Sequence, residues 1–382
     1  MGIYLDNNAT TPVDPAVVDA ILPHFTSGFG NAASTHPRGR RAAATVETAR
    51  DDVADALGVD SRRVVWTSGS TEALNTALKG LGRTRGARDQ LIVGATEHKA
   101  VLDVAEWLAA TDGVDVLTVA PRPDGVVDLD ALCAAVTDRT FAVAVMAANN
   151  ETGVINPVGE VAEIARRVGA AYVCDATQVP GKCSLDLGVA DILAVSAHKV
   201  YGPQGIGALV APRPGSQFKL EPLLHGGGHE RGLRSGTLNL PGIVGFAAAL
   251  ELAQRRIDSD LPRMAQLRDR LEVGLASRLG GVTVHGKDAP RLPNTSNVRI
   301  EGVDADAMVV NTPAVAFSSG SACTAAVPTP SHVLTAMGLP TEAAEESIRL
   351  SVGRYTTEEE VDRAIELLAT SAERLRELNG AA

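Results

Sequence analysis

The sequence predicts an α/β protein, a mostly parallel sheet covered by helices and followed by a smaller α+β lobe. Three observations carry that expectation. Between about residues 60 and 210, short apolar runs alternate with stretches of helical periodicity, the pattern of a parallel sheet buried on both faces. At 382 residues the chain is too long for one small core, so two lobes are expected. The last third then changes texture, from a Gly- and His-rich connector to long amphipathic segments.

In chain order, the strand candidates are VVW at 64–66, LIV at 91–93, VDVLTV at 114–119, FAVAVM at 141–146, AYVC at 171–174 and DILAV at 191–195. Helical periodicity fills 71–80, 98–110, 128–136 and 158–168, between or beside those runs. Residues 213–240, including HGGGHERGLRSGT, read as an irregular connector. A helix is expected at 242–257, strands within 282–286 and 296–302, and an amphipathic helix at 356–378 closes the chain.

Composition narrows the function. Hydrophobic residues at 45% and charged residues at 21% suit a globular fold, and with aromatics at only 3% the core must be packed with Ala, Val and Leu. The net charge of −11 and the lack of a basic block argue against a direct grip on nucleic acid or an anionic membrane. MGIYLDNNATTPVD has no apolar signal-like region, and no apolar run is long enough to span a bilayer. Cys133, Cys174, Cys183 and Cys323 form no CxxC pair, so neither a zinc ribbon nor a disulfide framework is expected, and no metal site. The cytoplasm is the default location.

Four motifs carry chemistry. VVWTSGSTEALNTAL (64–78) is a strand, a small polar turn and a helix. Its free N–H groups with Ser70 and Thr71 would cradle a phosphate; the simpler alternative makes Thr71 an N-cap and Glu72 a first-turn acid. DILAVSAHKVYGPQGIGAL (191–209) ends a buried strand in Ser196, Ala197, His198 and Lys199. A lysine there is normally solvated, but burial lowers an amine's pKa, as a Schiff-base lysine requires. AYVCDATQVPGK (171–182) puts Asp175 directly after a strand, where it would pair with a cofactor's ring nitrogen or merely cap the next turn. Gln178 lies three residues on, within reach of a ring hydroxyl. AFSSGSACTAA (316–326) sets Cys323 in a small polar loop, a setting that permits a reactive thiolate rather than an inert buried thiol. His98 in TEHKAV and Asn149 and Asn150 in AANNETG also follow strands. In open α/β sheets the carboxyl ends of strands line the ligand crevice, and these candidates converge on such ends.

Together these motifs, with YLDNNATTPVDP, FGNAAS, NNETG, HGGGHERGLRSGT and IRLSVGRYTTEEE, make the chain resemble the cysteine desulfurases of the class-V branch of fold-type-I pyridoxal-phosphate enzymes, over essentially its whole length. The resemblance implies a seven-stranded sheet in a large domain at 15–253, and a small domain formed by 1–14 with 254–382. It implies pyridoxal 5′-phosphate held covalently by Lys199, with His98 stacked on its ring, Asp175 at the pyridine nitrogen, Gln178 at the ring hydroxyl and Asn150 nearby. Ser70, Thr71, Ser196 and His198 would bind the phosphate, joined by Thr237 lent across a homodimer interface. Arg349 would hold the carboxylate of L-cysteine with help from Asn31, and Cys323 would take the sulfur as a persulfide for an acceptor protein. His98 would shuttle protons.

Three departures from the family pattern stand out. Ala32 replaces a common proline in FGNAAS. The segment leading to Cys323, DADAMVVNTPAVAFSSGSAC, is shorter than in housekeeping members, and the chain ends soon after its closing helix. The last two suit a desulfurase of a DNA phosphorothioation system better than one docking an iron–sulfur scaffold. The rival readings are a persulfide-free aminotransferase or lyase of the same fold, a selenocysteine lyase, and a non-catalytic scaffold.

Overall fold

The computed structural model describes residues 2–319 and 330–380. A two-residue strand, β1 (Ile3–Tyr4), precedes helices α1 (Pro15–Ile21) and α2 (Pro37–Leu57). Both helices start on proline, whose missing N–H has no intrahelical partner to lose at that position. The large sheet follows: β2 (Val64–Thr67), β3 (Gln90–Gly94), β4 (Asp115–Val119), β5 (Thr140–Ala144), β6 (Ala171–Asp175), β7 (Ile192–Ser196) and β8 (Gly207–Val210). Helices α3 (Ser70–Thr84), α4 (Lys99–Asp112), α5 (Leu129–Ala135) and α6 (Val158–Arg167) connect its first five strands.

The seven strands lie in the order β2-β8-β7-β6-β5-β3-β4, and only β8 runs antiparallel to its neighbours. This is the expected mostly parallel sheet. The strand candidates of the sequence do not include β8, which follows the glycines at 202 and 205. A Cβ on Gly207 would lie 2.5 Å from the Val195 carbonyl oxygen and 2.7 Å from the Gly69 Cα, so here glycine permits a close strand approach. Apolar clusters cover both sheet faces, one around Trp66, Tyr172 and Phe246, the other around Leu74, Leu78, Leu91 and Leu108.

The connector 213–240 is irregular, as expected, and is pinned by a buried pair. Glu230 takes 2.8 and 2.9 Å bonds from the Arg50 guanidinium and a 2.9 Å bond from the Trp66 N–H. Helix α7 then runs from Leu240 to Arg278, 39 residues, passing through Pro262. The helix expected at 242–257 is thus extended at both ends, by two residues at its start and 21 at its finish. An internal proline costs about 3 kcal/mol, but the helix is apolar on both sides of it. Ile243, Phe246 and Leu250 enter the core of the large sheet, while Met264, Leu267, Leu271 and Leu275 enter a second core. Each such side chain returns roughly 1.5–3 kcal/mol on burial.

That second core is covered by an antiparallel sheet of β9 (Val282–Val284), β10 (Thr295–Ile300), β12 (Ser318–Ser319) and β13 (Ser347–Ser351), in the order β12-β13-β10-β9. Between β10 and β12 the short β11 (Val315–Ala316) pairs in parallel with β1. The N-terminal segment is thereby stitched to the C-terminal third. The closing helix Glu358–Gly380 buries Val361, Ala364, Leu368 and Ala372 in the same core. Among the described residues no helix is long and apolar enough to cross a membrane.

Candidate active site

The carboxyl ends of the parallel strands supply most of the candidate site. β2 leads through Gly69 into α3, β3 into His98 at the head of α4, β5 toward Met146, Ala148 and Asn150, β6 ends on Asp175, and β7 feeds His198 and Lys199. With Ser70, Thr71, Thr177 and Gln178 they line a cavity of about 400 Å³. The cavity is completed by Asp6, Asn8 and Ala9 from the N-terminal segment and by Ser318 and Arg349 from the antiparallel sheet.

One wall of the cavity is a helix start. The N-cap of α3 is Gly69, at φ 158° and with no side-chain cap, so the first N–H groups of a 15-residue helix are left for a ligand. A Cβ on Gly69 would stand 3.6 Å from Ser196 Oγ. Neither hydroxyl flanking this turn caps the helix, so Thr71 is not an N-cap. Glu72 instead accepts from the Ser68 N–H at 2.7 Å and pairs with Arg234 of the connector at 3.0 Å.

Asp175 is buried. Its Oδ1 accepts from the Thr177 N–H at 2.9 Å and from the Thr177 hydroxyl, so the carboxylate caps the following turn and lines the cavity at once. His98 caps α4, its Nδ1 accepting from the Ala100 N–H at 3.1 Å. A neutral ring with Nδ1 as acceptor carries its proton on Nε2. Burial, reinforced by Lys199 and His332 and opposed by Asp175, lowers the His98 pKa below 6.5, so the ring is neutral near pH 7. Burial and the neighbouring Lys199 and Lys182 bring His198 down to about 4; its Nδ1 lies 3.1 Å from Thr10 Oγ1.

The Lys199 Nζ donates at 2.6 Å to the carbonyls of both Asn8 and Ala9. Across the cavity, Arg349 sits on β13. Its Nη2 donates to Asp6 Oδ1 at 2.7 Å and to Ser318 Oγ at 3.0 Å, and Nη1 reaches the Asn150 carbonyl at 3.4 Å. Its Nε is buried without a partner among the described residues. A buried donor left unpaired is costly, and here it lies on a guanidinium facing a cavity.

The structure therefore brings Ser70, Thr71, His98, Asn150, Asp175, Gln178, His198, Lys199 and Arg349 to one cavity. Ser196 is buried at the end of β7, beside Gly69, and does not line it. Asn31 is exposed, turned back on its own loop by a 2.9 Å bond to the Ala33 N–H. Thr237 is exposed on the connector, outside the cavity of its own chain. Cys323 lies outside the described residues. Sequence reasoning missed Asp6, Asn8, Thr177, Ser318 and Lys182. For Asp6 and Asn8 the signal was an N-terminal polar run, DNNATT, too dense for an ordinary loop. Nothing local marked Lys182 as buried. No cluster of potential metal ligands occurs among the described residues.

Residues 3–364 match the family described as aminotransferase class-V. Cysteine desulfurase IscS of Anaeromyxobacter dehalogenans is 46% identical over 381 residues, spanning 99% of this chain and 94% of the relative. The chain belongs to the cysteine desulfurase branch of the class-V aminotransferase family. The cysteine desulfurase of Gluconacetobacter diazotrophicus is 43% identical over 99% of this chain and 95% of its own length. Among solved structures, a NifS-like protein superposes with a TM-score of 0.88 at 35% identity, over the whole of both chains. DndA from Streptomyces lividans follows at 0.78 and 39%, covering 91% of this chain and 99% of its own. SspA in complex with cysteine gives 0.80 at 32%, covering 93% of this chain and 99% of its own.

Proposed function

We propose that this protein is a pyridoxal-phosphate-dependent cysteine desulfurase acting in the cytoplasm as a homodimer, which converts L-cysteine to L-alanine and loads the sulfur on Cys323 as a persulfide for an acceptor protein. The observation that carries the reading is one cavity holding a lysine amine, a buried carboxylate, an uncapped helix start and an arginine with an unpaired Nε. These groups fit the coenzyme. The α3 N–H groups with Ser70, Thr71 and His198 suit a phosphate, supported by Ser196 beside Gly69, and Asp175 suits a protonated ring nitrogen. When bound, pyridoxal phosphate supplies an aldehyde that Lys199 can hold covalently and a ring that withdraws electrons from the substrate's Cα.

The chain's own groups do the rest. Arg349 holds the substrate carboxylate by charge-assisted hydrogen bonds. The Lys199 Nζ takes the α-proton, and Asp175 keeps the proton at the ring nitrogen. The Cys323 thiolate attacks the substrate sulfur, so an S–S bond forms as the substrate's C–S bond breaks, and the carbon fragment leaves as L-alanine after protonation. Neutral His98, with its proton on Nε2, exchanges protons with the reacting groups. Thr237, exposed on the connector, would complete the phosphate site of the partner subunit.

Purified protein given pyridoxal phosphate, L-cysteine and a reductant should form L-alanine and sulfide in equal amounts. Alanine without sulfide, or a protein that never acquires visible absorbance from the coenzyme, would overturn the reading. The acceptor's pathway is a separate question. Relatives named IscS and a structural neighbour named DndA both cover nearly the whole chain, and capture of the persulfide acceptor separates iron–sulfur, tRNA-thiolation and DNA-phosphorothioation routes.

A further inference from the structure

A second lysine lies behind the cavity wall. Lys182 is 4% exposed, and its Nζ donates to Gln178 Oε1 at 2.6 Å and reaches Asn8 Oδ1 at 3.4 Å. Gln178 Nε2 donates at 3.1 Å to the Asn8 carbonyl, the same oxygen that accepts from Lys199. An ammonium only donates and a carbonyl only accepts. The two neighbours therefore allow one orientation of the Gln178 amide, with Oε1 toward Lys182 and Nε2 toward Asn8. Nε2 keeps a second hydrogen, and Gln178 lines the cavity.

We infer that Lys182 is a positioning residue, which locks the Gln178 amide so that a donor rather than an acceptor is offered to the coenzyme's ring oxygen. This rests on the function proposed above and adds to it a residue that touches neither coenzyme nor substrate. The arrangement is costly to build, since a buried ammonium needs its partners. Burial, with Lys199 and Arg349 nearby and only the Cys183 thiol opposing, brings Lys182 down to about 7. Near neutral pH the lock thus stands close to the point where Lys182 would gain an acceptor lone pair and the amide would gain a second orientation.

The test uses the coenzyme-loaded protein and the pH midpoint of its visible absorbance, not its turnover. A donor to the ring oxygen favours the deprotonated chromophore, so Lys182→Met should raise the midpoint by about half a unit or more. Gln178→Ala should raise it as well. If Lys182 works through Gln178, the double variant should match Gln178→Ala alone. Additive shifts would mean that Lys182 acts only by its charge, and an unshifted Lys182→Met would remove any role; either overturns the inference. Should Lys182→Met fail to fold, Lys182→Gln retains an N–H and should keep the midpoint nearer to wild type than Gln178→Ala does. A midpoint as displaced as that of Gln178→Ala also overturns it. Wild-type protein without any visible band would instead sink the proposed function, which keeps the two failures distinct.

Discussion

The rim of the parallel sheet and the antiparallel sheet opposite it contribute to the same cavity in different ways. The rim offers groups that hold or move protons: Lys199, Asp175, His98 and His198, each within a few residues of a strand end. The antiparallel sheet offers Arg349 and Ser318, which meet Asp6 across 343 and 312 positions of sequence. The rim is assembled by local strand–turn–helix units. Its counterpart exists only after the N-terminal segment has paired with the C-terminal third. On the proposed function, the rim does chemistry and the antiparallel sheet recognises the amino acid's carboxylate.

That division can be broken in order of expected effect. Lys199→Ala removes the rim's amine and should lower L-alanine formation from L-cysteine by roughly three orders of magnitude or more, measured by amino-acid analysis; a modest loss would place the chemistry elsewhere. Cys323→Ser should abolish sulfide release while the coenzyme's visible absorbance persists, and sulfide at the normal rate would exclude the thiol as sulfur carrier. Arg349→Leu should act mainly on KM. Losing a charge-assisted pair costs about 1.5–3 kcal/mol, or roughly a tenfold to hundredfold rise. A fall in kcat with unchanged KM would erase the distinction between the two regions.

The last effect is on stability rather than activity and belongs to the antiparallel side. His285 is buried beside Ser347, with Nε2 3.0 Å from Ser347 Oγ. Burial, reinforced by Arg299, brings it from 6.5 to about 4. A depressed folded-state pKa means that the unfolded chain binds the proton more readily. The contribution is therefore full above pH 6.5 and is lost as pH falls toward 4, by about 3 kcal/mol at most. His285→Gln should flatten that part of the slope in urea denaturation near neutral pH and near pH 4; an unchanged slope would assign acid sensitivity to other groups.

The two lysines show what kind of information was legible. Lys199 comes shortly after the apolar run ILAV at 192–195 and precedes the glycines at 202 and 205, so its unusual setting is written in nearby residues. Lys182 lies in VPGKCS, where nothing local separates a buried lysine from a surface one. One of its two hydrogen-bond partners is Asn8, 174 positions away. Helix α7 makes the same point in reverse. Pro262 is a strong local stop signal, yet burial on both flanks overrides it.

The sequence by itself determined the alternation of strands and helices, the strand ends that carry His98, Asn150, Asp175 and Lys199, and the family. Periodicity, caps and turn residues act between near neighbours and leave their mark in order along the chain. Only the tertiary structure decided that β8 reverses direction, that Asp6 faces Arg349, that the Asn8 carbonyl is shared by Gln178 and Lys199, and that Asn31 and Thr237 stand away from their own chain's cavity. Those outcomes depend on which distant segments exclude water together, a property of the packed whole rather than of any window of residues.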